Sequence, residues 1–169
     1  MLDGDWLVIV VGHGQPPRDM PRDILSEYLS LLHRHGRTKL EDERLAELTR
    51  VVMDWPRNSE NDPYWSSLQT LASMLRQALG CEVVAAFNEF CPPAFDEVLE
   101  DACKSGREKI MVLTTMLIPG GIHSEVEIPE MIREMSSKYR KEIVYIWPID
   151  LKNLLDFFVK NIYEHLRHG

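Results

Sequence analysis

The sequence predicts an α/β domain built around a mainly parallel four-stranded sheet. Four short runs rich in β-branched and apolar residues, at 6–11, 82–87, 109–114 and 142–147, are the candidate strands. Helical periodicities separate these runs, and strands that alternate with helices are typical of parallel sheets. A chain of 169 residues is long enough to form one domain with a core on both faces of such a sheet.

The connection between the first two candidate strands is unusually long, from Gly14 to Gly80. Its last part carries clear helix signals, because Asp62 can cap a helix, Pro63 fits a first turn and Gly80 fits a helix end. We therefore predict an extended helical connection over about residues 15–80, with one helix after Pro21 ending at Gly36, one around 39–53 and one from Pro63.

The segment 54–61 of this connection is polar and turn-rich, with Trp55 as its one aromatic residue. Such a composition is typical of a plain loop, although lids over active sites share it. Both interpretations are compatible with the sequence.

The second half of the chain continues the alternation of strands and helices. An apolar stripe at helical spacing covers 95–103 and meets a stop signal at Gly106. Pro119, Gly120 and Gly121 break the chain after the third strand, so that a further helix is expected to open near 122–124. A last amphipathic stripe occupies 151–166.

Composition and charge exclude several classes of protein. The formal net charge of −8 argues against a protein that binds duplex nucleic acid, because such proteins concentrate positive charge. No apolar stretch approaches the ~20 residues of a membrane span. Asp3 and Asp5 lie where a signal peptide would carry basic residues. We therefore expect a cytoplasmic protein with no nucleic-acid or membrane partner.

The chain has three cysteines, Cys81, Cys91 and Cys103. They are odd in number and lack the spacing of a zinc site, which favours buried thiols in a reducing compartment. A nucleophilic role for Cys91 is conceivable, but the two prolines that follow it indicate a turn into a helix.

Two glycine-flanked histidines lie just beyond candidate strands. His13 stands between Gly12 and Gly14, and His123 follows the Gly120-Gly121 turn. A parallel sheet brings both strand ends to the same edge, where such folds bind their ligands. The sequence therefore predicts a shared metal or reaction site. A dinucleotide site is a weaker interpretation, because the third glycine of that fingerprint is missing, and no nucleotide is expected.

His123 lies at a predicted helix N-terminus, where the helix dipole disfavours the charged imidazolium. A neutral imidazole can bind a metal ion or accept a proton. The amides of the Gly120-Gly121 turn could also bind a carboxylate of a substrate. Glu125 and Glu127 fall in the first turn, where the helix dipole alone explains acidic residues.

Glu89, just beyond the second strand, is the third candidate ligand. Two imidazoles and one carboxylate would form an open site that suits Fe²⁺, Co²⁺ or Ni²⁺. The alternative is a solvated loop carboxylate without a ligand. The remaining histidines are poor candidates, because their positions indicate different helix faces or a solvated helix end: His33, His35, His165 and His168.

Three segments of this chain resemble motifs that occur in the same order in one known family: Val10–Gly14, Ala86–Pro93 and Leu117–Pro129. They resemble the short form of the sirohydrochlorin cobaltochelatase and ferrochelatase family, the class II tetrapyrrole chelatases. The resemblance covers the first strand and about residues 81–169. It differs at Gln15-Pro16-Pro17-Arg18, where the family usually has serine and a basic residue, and over 19–80, which is longer than in typical short members.

The resemblance implies a flavodoxin-like, three-layer fold, a homodimer and a tetrapyrrole substrate. It also implies ATP-independent insertion of Co²⁺ or Fe²⁺, with Ni²⁺ as a further candidate, into a polycarboxylated macrocycle. His13 and His123 would bind the metal and accept protons, and Glu89 would complete the site. Arg18 and Arg22, which follow the first strand, could pair with carboxylates of the substrate, unless they are ordinary surface charges.

Two alternatives accompany this prediction. The chain could be a non-catalytic domain of the same fold that binds a metal or a tetrapyrrole. It could also be a chelatase for a less carboxylated porphyrin, in which case an apolar wall would come from Met53, Trp55, Tyr64 and Trp65.

Overall fold

A computed structural model describes residues 5–35 and 42–168 of the chain. Strands and helices alternate as the sequence predicts, and a π-helical turn precedes the fifth helix. The elements are β1 (Trp6–Gly12), α1 (Arg22–His35), α2 (Glu43–Asp54), α3 (Pro63–Leu79), β2 (Glu82–Phe87), α4 (Phe95–Lys104), β3 (Lys109–Thr114), the π-turn (His123–Glu127), α5 (Ile128–Tyr139), β4 (Ile143–Ile146) and α6 (Leu151–His168).

The four strands form one parallel sheet in the order β2-β1-β3-β4. Within it, Val10 of β1 lies opposite Ala85 of β2 on one side and Leu113 of β3 on the other. This order is that of flavodoxin-like sheets, in which ligands bind beyond the carboxyl ends of the strands. The predicted α/β fold class is confirmed.

Helices cover both faces of the sheet because its central strands are apolar on both sides. Ile9 and Val112 face the layer of α4 and α5, in a core cluster that includes Leu99 and Ile128. Val10 alternates to the other face and belongs to a second cluster with residues of α3. The result is a three-layer α/β/α arrangement.

The long connection between β1 and β2 forms its own small core. Met20, Tyr28, Leu45, Leu48 and Val52 are buried together, and they belong to α1, to α2 and to the loop before α1. We call residues 15–62 the insertion. α1 and α2 pack on each other, and Phe90, just beyond β2, packs against their core.

The predicted helix boundaries in this region hold in part. The helix after Pro21 is α1, and α3 has Asp62 as its N-cap and Gly80 in a left-handed C-cap, as predicted. The helix expected around 39–53 begins later, at Glu43, because the Asp42 carboxylate caps it by accepting from two backbone amides. The expected stop at Gly36 lies outside the described residues.

The last helix, α6, is amphipathic but its apolar face is exposed. Leu154 is buried, whereas six apolar residues that share one face are between 40% and 71% exposed: Leu151, Leu155, Phe158, Val159, Ile162 and Leu166. α3 covers one face of the sheet over β1 and β2. On the same face of β3 and β4, Leu113, Val144 and Ile146 are only half-buried. None of the described helices is apolar over a length that would cross a membrane.

Glu100 of α4 provides a testable link between stability and pH. Its carboxylate accepts from Lys138 Nζ at 2.7 Å and from the Tyr139 hydroxyl at 2.5 Å, both on α5. These hydrogen bonds lower the pKa of Glu100 from 4.5 to about 2, and the bond from Lys138 has the largest effect. Because the folded state holds the lower pKa, its contribution to stability is complete above pH 4.5 and disappears as the pH falls towards 2.

We therefore expect Glu100→Gln to lower the free energy of unfolding at pH 7, with a difference from wild type that shrinks between pH 4.5 and about 2. Urea unfolding at several pH values measures this difference. Glu134→Gln, on the exposed side of α5, is the control and should show no such trend. A Glu100→Gln difference that is constant with pH would contradict the assignment.

Candidate metal centre

The site begins with a backbone contact between the loops that follow β1 and β2. The amide of Asn88 donates to the carbonyl of Gly12 at 2.9 Å, and the amide of Glu89 donates to that of His13 at 2.8 Å. The ladder of the two strands thus continues past their ends. Gly14 has φ +90°, and a Cβ at this position would overlap the carbonyl oxygen of Glu89. Only glycine allows this approach.

His13 is held by hydrogen bonds at its backbone and ring. Its amide donates to the hydroxyl of Tyr64 at 2.9 Å, and its ring Nδ1 lies 2.7 Å from the carbonyl of Gly14. A carbonyl only accepts, so Nδ1 carries the proton and Nε2 keeps its lone pair. Nε2 lies 3.8 Å from Oε2 of Glu89. Nε2 is therefore the nitrogen of His13 that faces the carboxylate.

His123 is the first residue of the π-turn. It approaches His13 from the side of β3, opposite to Glu89, which follows β2. The ring centroids of the two histidines are 4.9 Å apart, with the planes at 77°. Nδ1 of His123 lies 2.5 Å from Oε2 of Glu127 and 2.9 Å from the side-chain nitrogen of Asn88, which also donates to Oε2 at 3.2 Å. The contact with the carboxylate is the shorter one, and a carboxylate accepts, so we assign the proton to Nδ1 and leave Nε2 for a ligand.

The structure thus brings the three predicted ligands to one place. His13, Glu89 and His123 each offer a ligand atom, and these atoms lie within 4.8 Å of one another. All three side chains are half-buried, which leaves the group accessible from solvent. Two imidazoles and one carboxylate form a ligand set that suits divalent iron, cobalt or nickel with open positions.

Glu127 has a contact that the sequence analysis missed. We expected the helix dipole alone to account for an acidic residue at position 127. The Glu127 carboxylate instead contacts the ring of His123 and accepts a hydrogen bond from the side chain of Asn88. The signal was its i+4 spacing from His123, which places two side chains on one helix face. Carboxylates that accept from a metal-binding histidine fix its tautomer and orientation.

The amides of the Gly120-Gly121 turn were expected to be available to a carboxylate of the substrate, but one of them is already hydrogen-bonded within the protein. The amide of Gly120 donates to the Glu125 carboxylate at 2.7 Å, so that a side chain of the protein already occupies this donor. Gly120 and Gly121 are both exposed. Arg18 and Arg22 are also exposed, in the loop after β1 and at the start of α1.

β4 also supports the π-turn. The hydroxyl of Tyr145 donates to the carbonyl of Ser124 at 2.9 Å, next to His123. Burial, together with the nearby charge of Glu125, raises the pKa of Tyr145 to about 12. The phenol therefore stays protonated and keeps donating at neutral pH.

Cys91 is buried, and its environment does not favour a nucleophilic role. Its Sγ lies 3.4 Å from Oδ2 of Asp62, and burial raises the pKa of the thiol to about 12. Only a thiolate attacks, and this thiol is protonated at neutral pH. Cys81 and Cys103 are likewise buried and free, as predicted.

The segment 54–61 is largely exposed, but two of its side chains are tied to the rest of the protein. The side chain of Arg57 is 2% exposed, and Trp55 donates from its indole to Asp19 at 3.0 Å. These contacts favour the loop interpretation over the lid.

The four residues proposed as an apolar wall for a less carboxylated porphyrin are half-buried, and the hydroxyl of Tyr64 accepts from the His13 amide. Trp55 packs against the core of the insertion, and Tyr64 and Trp65 pack against the cluster beneath α3. Met53 is half-buried.

The other histidines contribute no ligand to this centre in the part of the chain that the structure describes. The side chains of His33 and His165 are exposed on α1 and α6. Those of His35 and His168 lie outside the described residues.

Comparisons with known proteins give one family and one similar structure. The model of the CbiX family matches residues 59–165. A crystal structure described as a cobalamin (vitamin B12) biosynthesis CbiX protein from Marinobacter aquaeolei VT8 is similar at a TM-score of 0.48 and 16% identity, over 97% of this chain and 99% of that chain. A search of curated proteins gives no match.

The contact between Glu127 and His123 predicts a role in metal affinity. We expect Glu127→Ala to weaken Co²⁺ binding by roughly 10–100-fold, because the imidazole loses the group that sets its tautomer. Glu127→Gln keeps an acceptor oxygen and should weaken binding less. Calorimetric titration with Co²⁺ measures both, with Glu130→Ala on the exposed face of α5 as the control. Unchanged affinity in Glu127→Ala would contradict this role.

Proposed function

The chain belongs to the CbiX family, and from this membership we propose that it inserts a divalent metal ion into a polycarboxylated tetrapyrrole related to sirohydrochlorin. Family membership supports a chelatase role in the biosynthesis of cobalamin or sirohaem. The observation that carries the finer proposal is the group of His13, Glu89 and His123 at the carboxyl edge of the sheet.

The proposed reaction exchanges two ring protons for one metal ion. The incoming ion, which is a substrate, sheds water and is held by Nε2 of both histidines, while Glu89 offsets its charge. As the ion moves to the pyrrole nitrogens, each Nε2 lone pair is released and can accept a proton. A neutral imidazole can both bind a metal ion and accept a proton, which suits it to this task. No step requires ATP.

The charge around the site bears on the choice of substrate. The protein carries a net charge of −8, so a substrate with several carboxylates needs local cations to approach. Arg18 and Arg22 are exposed and lie after β1, the strand that leads into His13. We propose that they pair with peripheral carboxylates of the macrocycle.

An anaerobic assay with sirohydrochlorin and Co²⁺, Fe²⁺ or Ni²⁺, without ATP, tests the proposal through the change in absorption. We expect the wild type to exceed the spontaneous rate. His13→Ala and His123→Ala should each lose at least about tenfold in rate, because each removes a metal ligand and a proton acceptor. His33→Ala, an exposed histidine on α1, is the matched control.

The outcomes separate the rival functions. Binding of metal or tetrapyrrole without any acceleration would favour a non-catalytic binding domain. Acceleration only with a less carboxylated porphyrin would favour the other alternative. Full activity in both histidine variants, with unchanged circular dichroism, would refute the assignment of the site.

We also propose that the protein forms a homodimer through α6. The apolar stripe of α6 from Leu151 to Leu166 is exposed, and exposed apolar surface of this kind marks interaction sites. The sheet face at Leu113, Val144 and Ile146 is only half-buried in the single chain. A two-fold dimer in which each α6 lies against the partner copy would cover both apolar surfaces.

Two aspartates in this stripe should prevent the association. We expect Leu155→Asp combined with Phe158→Asp to be a folded monomer, because burying two carboxylates in the interface is unfavourable. Sedimentation equilibrium measures the mass. Met74→Asp, at an exposed apolar residue of α3, is the control and should stay dimeric. A wild-type monomer at all concentrations would exclude the proposed dimer.

A further inference from the structure

Arg57 is a buried cation in the polar segment of the insertion. Its side chain is 2% exposed, and that of its ion-pair partner Asp62 is fully buried. Arginine is seldom buried to this degree, because removing its charge from water is unfavourable unless the charge is paired and hydrogen-bonded. The contacts of this guanidinium therefore indicate what its burial achieves.

The guanidinium of Arg57 donates to three backbone carbonyls besides Asp62. Nη1 bonds to the carbonyl of Gln15 at 3.0 Å, and Nη2 bonds to that of Val52 at 3.2 Å and to that of Phe90. Gln15 lies two residues after His13, and Phe90 directly follows Glu89. One side chain of the insertion thus ties together the two loops that carry two of the metal-site residues.

Asp62 fixes this guanidinium to the main body of the protein. Its carboxylate caps α3 by accepting from the amide of Trp65 at 2.9 Å. It also accepts from the side chain of Gln15 at 3.3 Å and from Sγ of Cys91 at 3.4 Å. Since α3 packs on the sheet, the ion pair connects the loops to a rigid element.

Phe90 shows that these contacts hold an unfavourable backbone conformation. Its φ of +59° lies in the left-handed region, which bulky residues rarely adopt. Arg57 holds its carbonyl, and its ring centroid lies 6.2 Å from that of Tyr28 and 6.3 Å from that of His13. The insertion therefore contacts Phe90 at both its backbone and its ring, next to Glu89.

We propose that Arg57 is a positioning residue of the metal centre. It acts through the carbonyls of Gln15 and Phe90, which hold the His13 loop and the Glu89 loop at a fixed separation. The insertion is accordingly a brace for the site rather than a cover over it. This inference rests on the proposed function in one respect, namely that His13, Glu89 and His123 bind a divalent ion.

Titration of the full chain with Co²⁺ tests this role. Arg57→Lys keeps the charge next to Asp62 but cannot donate to Asp62 and all three carbonyls, because an ammonium has three donors on one nitrogen where the guanidinium uses four on two. We expect at least about a tenfold loss of Co²⁺ affinity, as for other groups that orient metal ligands. The visible absorption band of the bound Co²⁺ should also change in shape, because the ligand geometry relaxes.

A second variant guards against a failure to fold. Arg57→Met combined with Asp62→Asn removes both buried charges, so that neither remains unpaired, and asparagine still caps α3. It should fold, as judged by circular dichroism and urea unfolding, and show the same loss of affinity. Arg44→Ala is the matched control, because Arg44 makes exposed ion pairs in the same insertion.

The outcomes distinguish this inference from the proposal it rests on. A purely structural role would lower the free energy of unfolding but leave the Co²⁺ affinity and absorption band of the folded variants unchanged. That result would overturn the positioning role while the metal site stands. A wild-type protein that fails to bind Co²⁺ would overturn the metal site and this inference together.

Discussion

The close approach of the loops after β1 and β2 is the constraint on which the site depends. The parallel ladder continues beyond the strands through the amides of Asn88 and Glu89, which donate to Gly12 and His13. Gly14 makes this possible, because any side chain there would overlap the backbone of Glu89. The distance between His13 and Glu89 is therefore set by main-chain hydrogen bonds, which are less adaptable than side-chain rotamers.

The electrostatics of the site favour a divalent cation. The Nδ1 atom of each imidazole points away from the centre, to the carbonyl of Gly14 in one case and to Glu127 and Asn88 in the other. The ligand atoms of the two imidazoles and of the Glu89 carboxylate lie within 4.8 Å of one another, on the order of the span between ligands of one ion. The same negative charge repels a carboxylated macrocycle. Binding the metal ion therefore favours negative charge at the centre, whereas binding the macrocycle favours positive charge around it.

The insertion links stability to the site. A helix pair of this size has little apolar surface, yet it buries Tyr28 and Val52 in its own core and contributes a buried cation to the neighbouring loops. Buried ion pairs contribute little net stability, since desolvation offsets their attraction. The contacts of Arg57 with two loop carbonyls explain why such a pair is compatible with a site that needs fixed geometry.

The sequence by itself determined the order of strands and helices along the chain, the caps of α3 and the convergence of His13 and His123, while Glu89 stayed open between a ligand and a solvated carboxylate. These follow from local periodicity and from the rule that parallel strands end at one edge. It did not reveal the contact of Glu127 with His123, the burial of Arg57 or the Glu125 carboxylate on the Gly120 amide. Only the tertiary structure decided those, because a charged side chain looks the same in sequence whether it meets solvent or a partner. Its role depends on which distant backbone groups the fold brings within hydrogen-bonding distance.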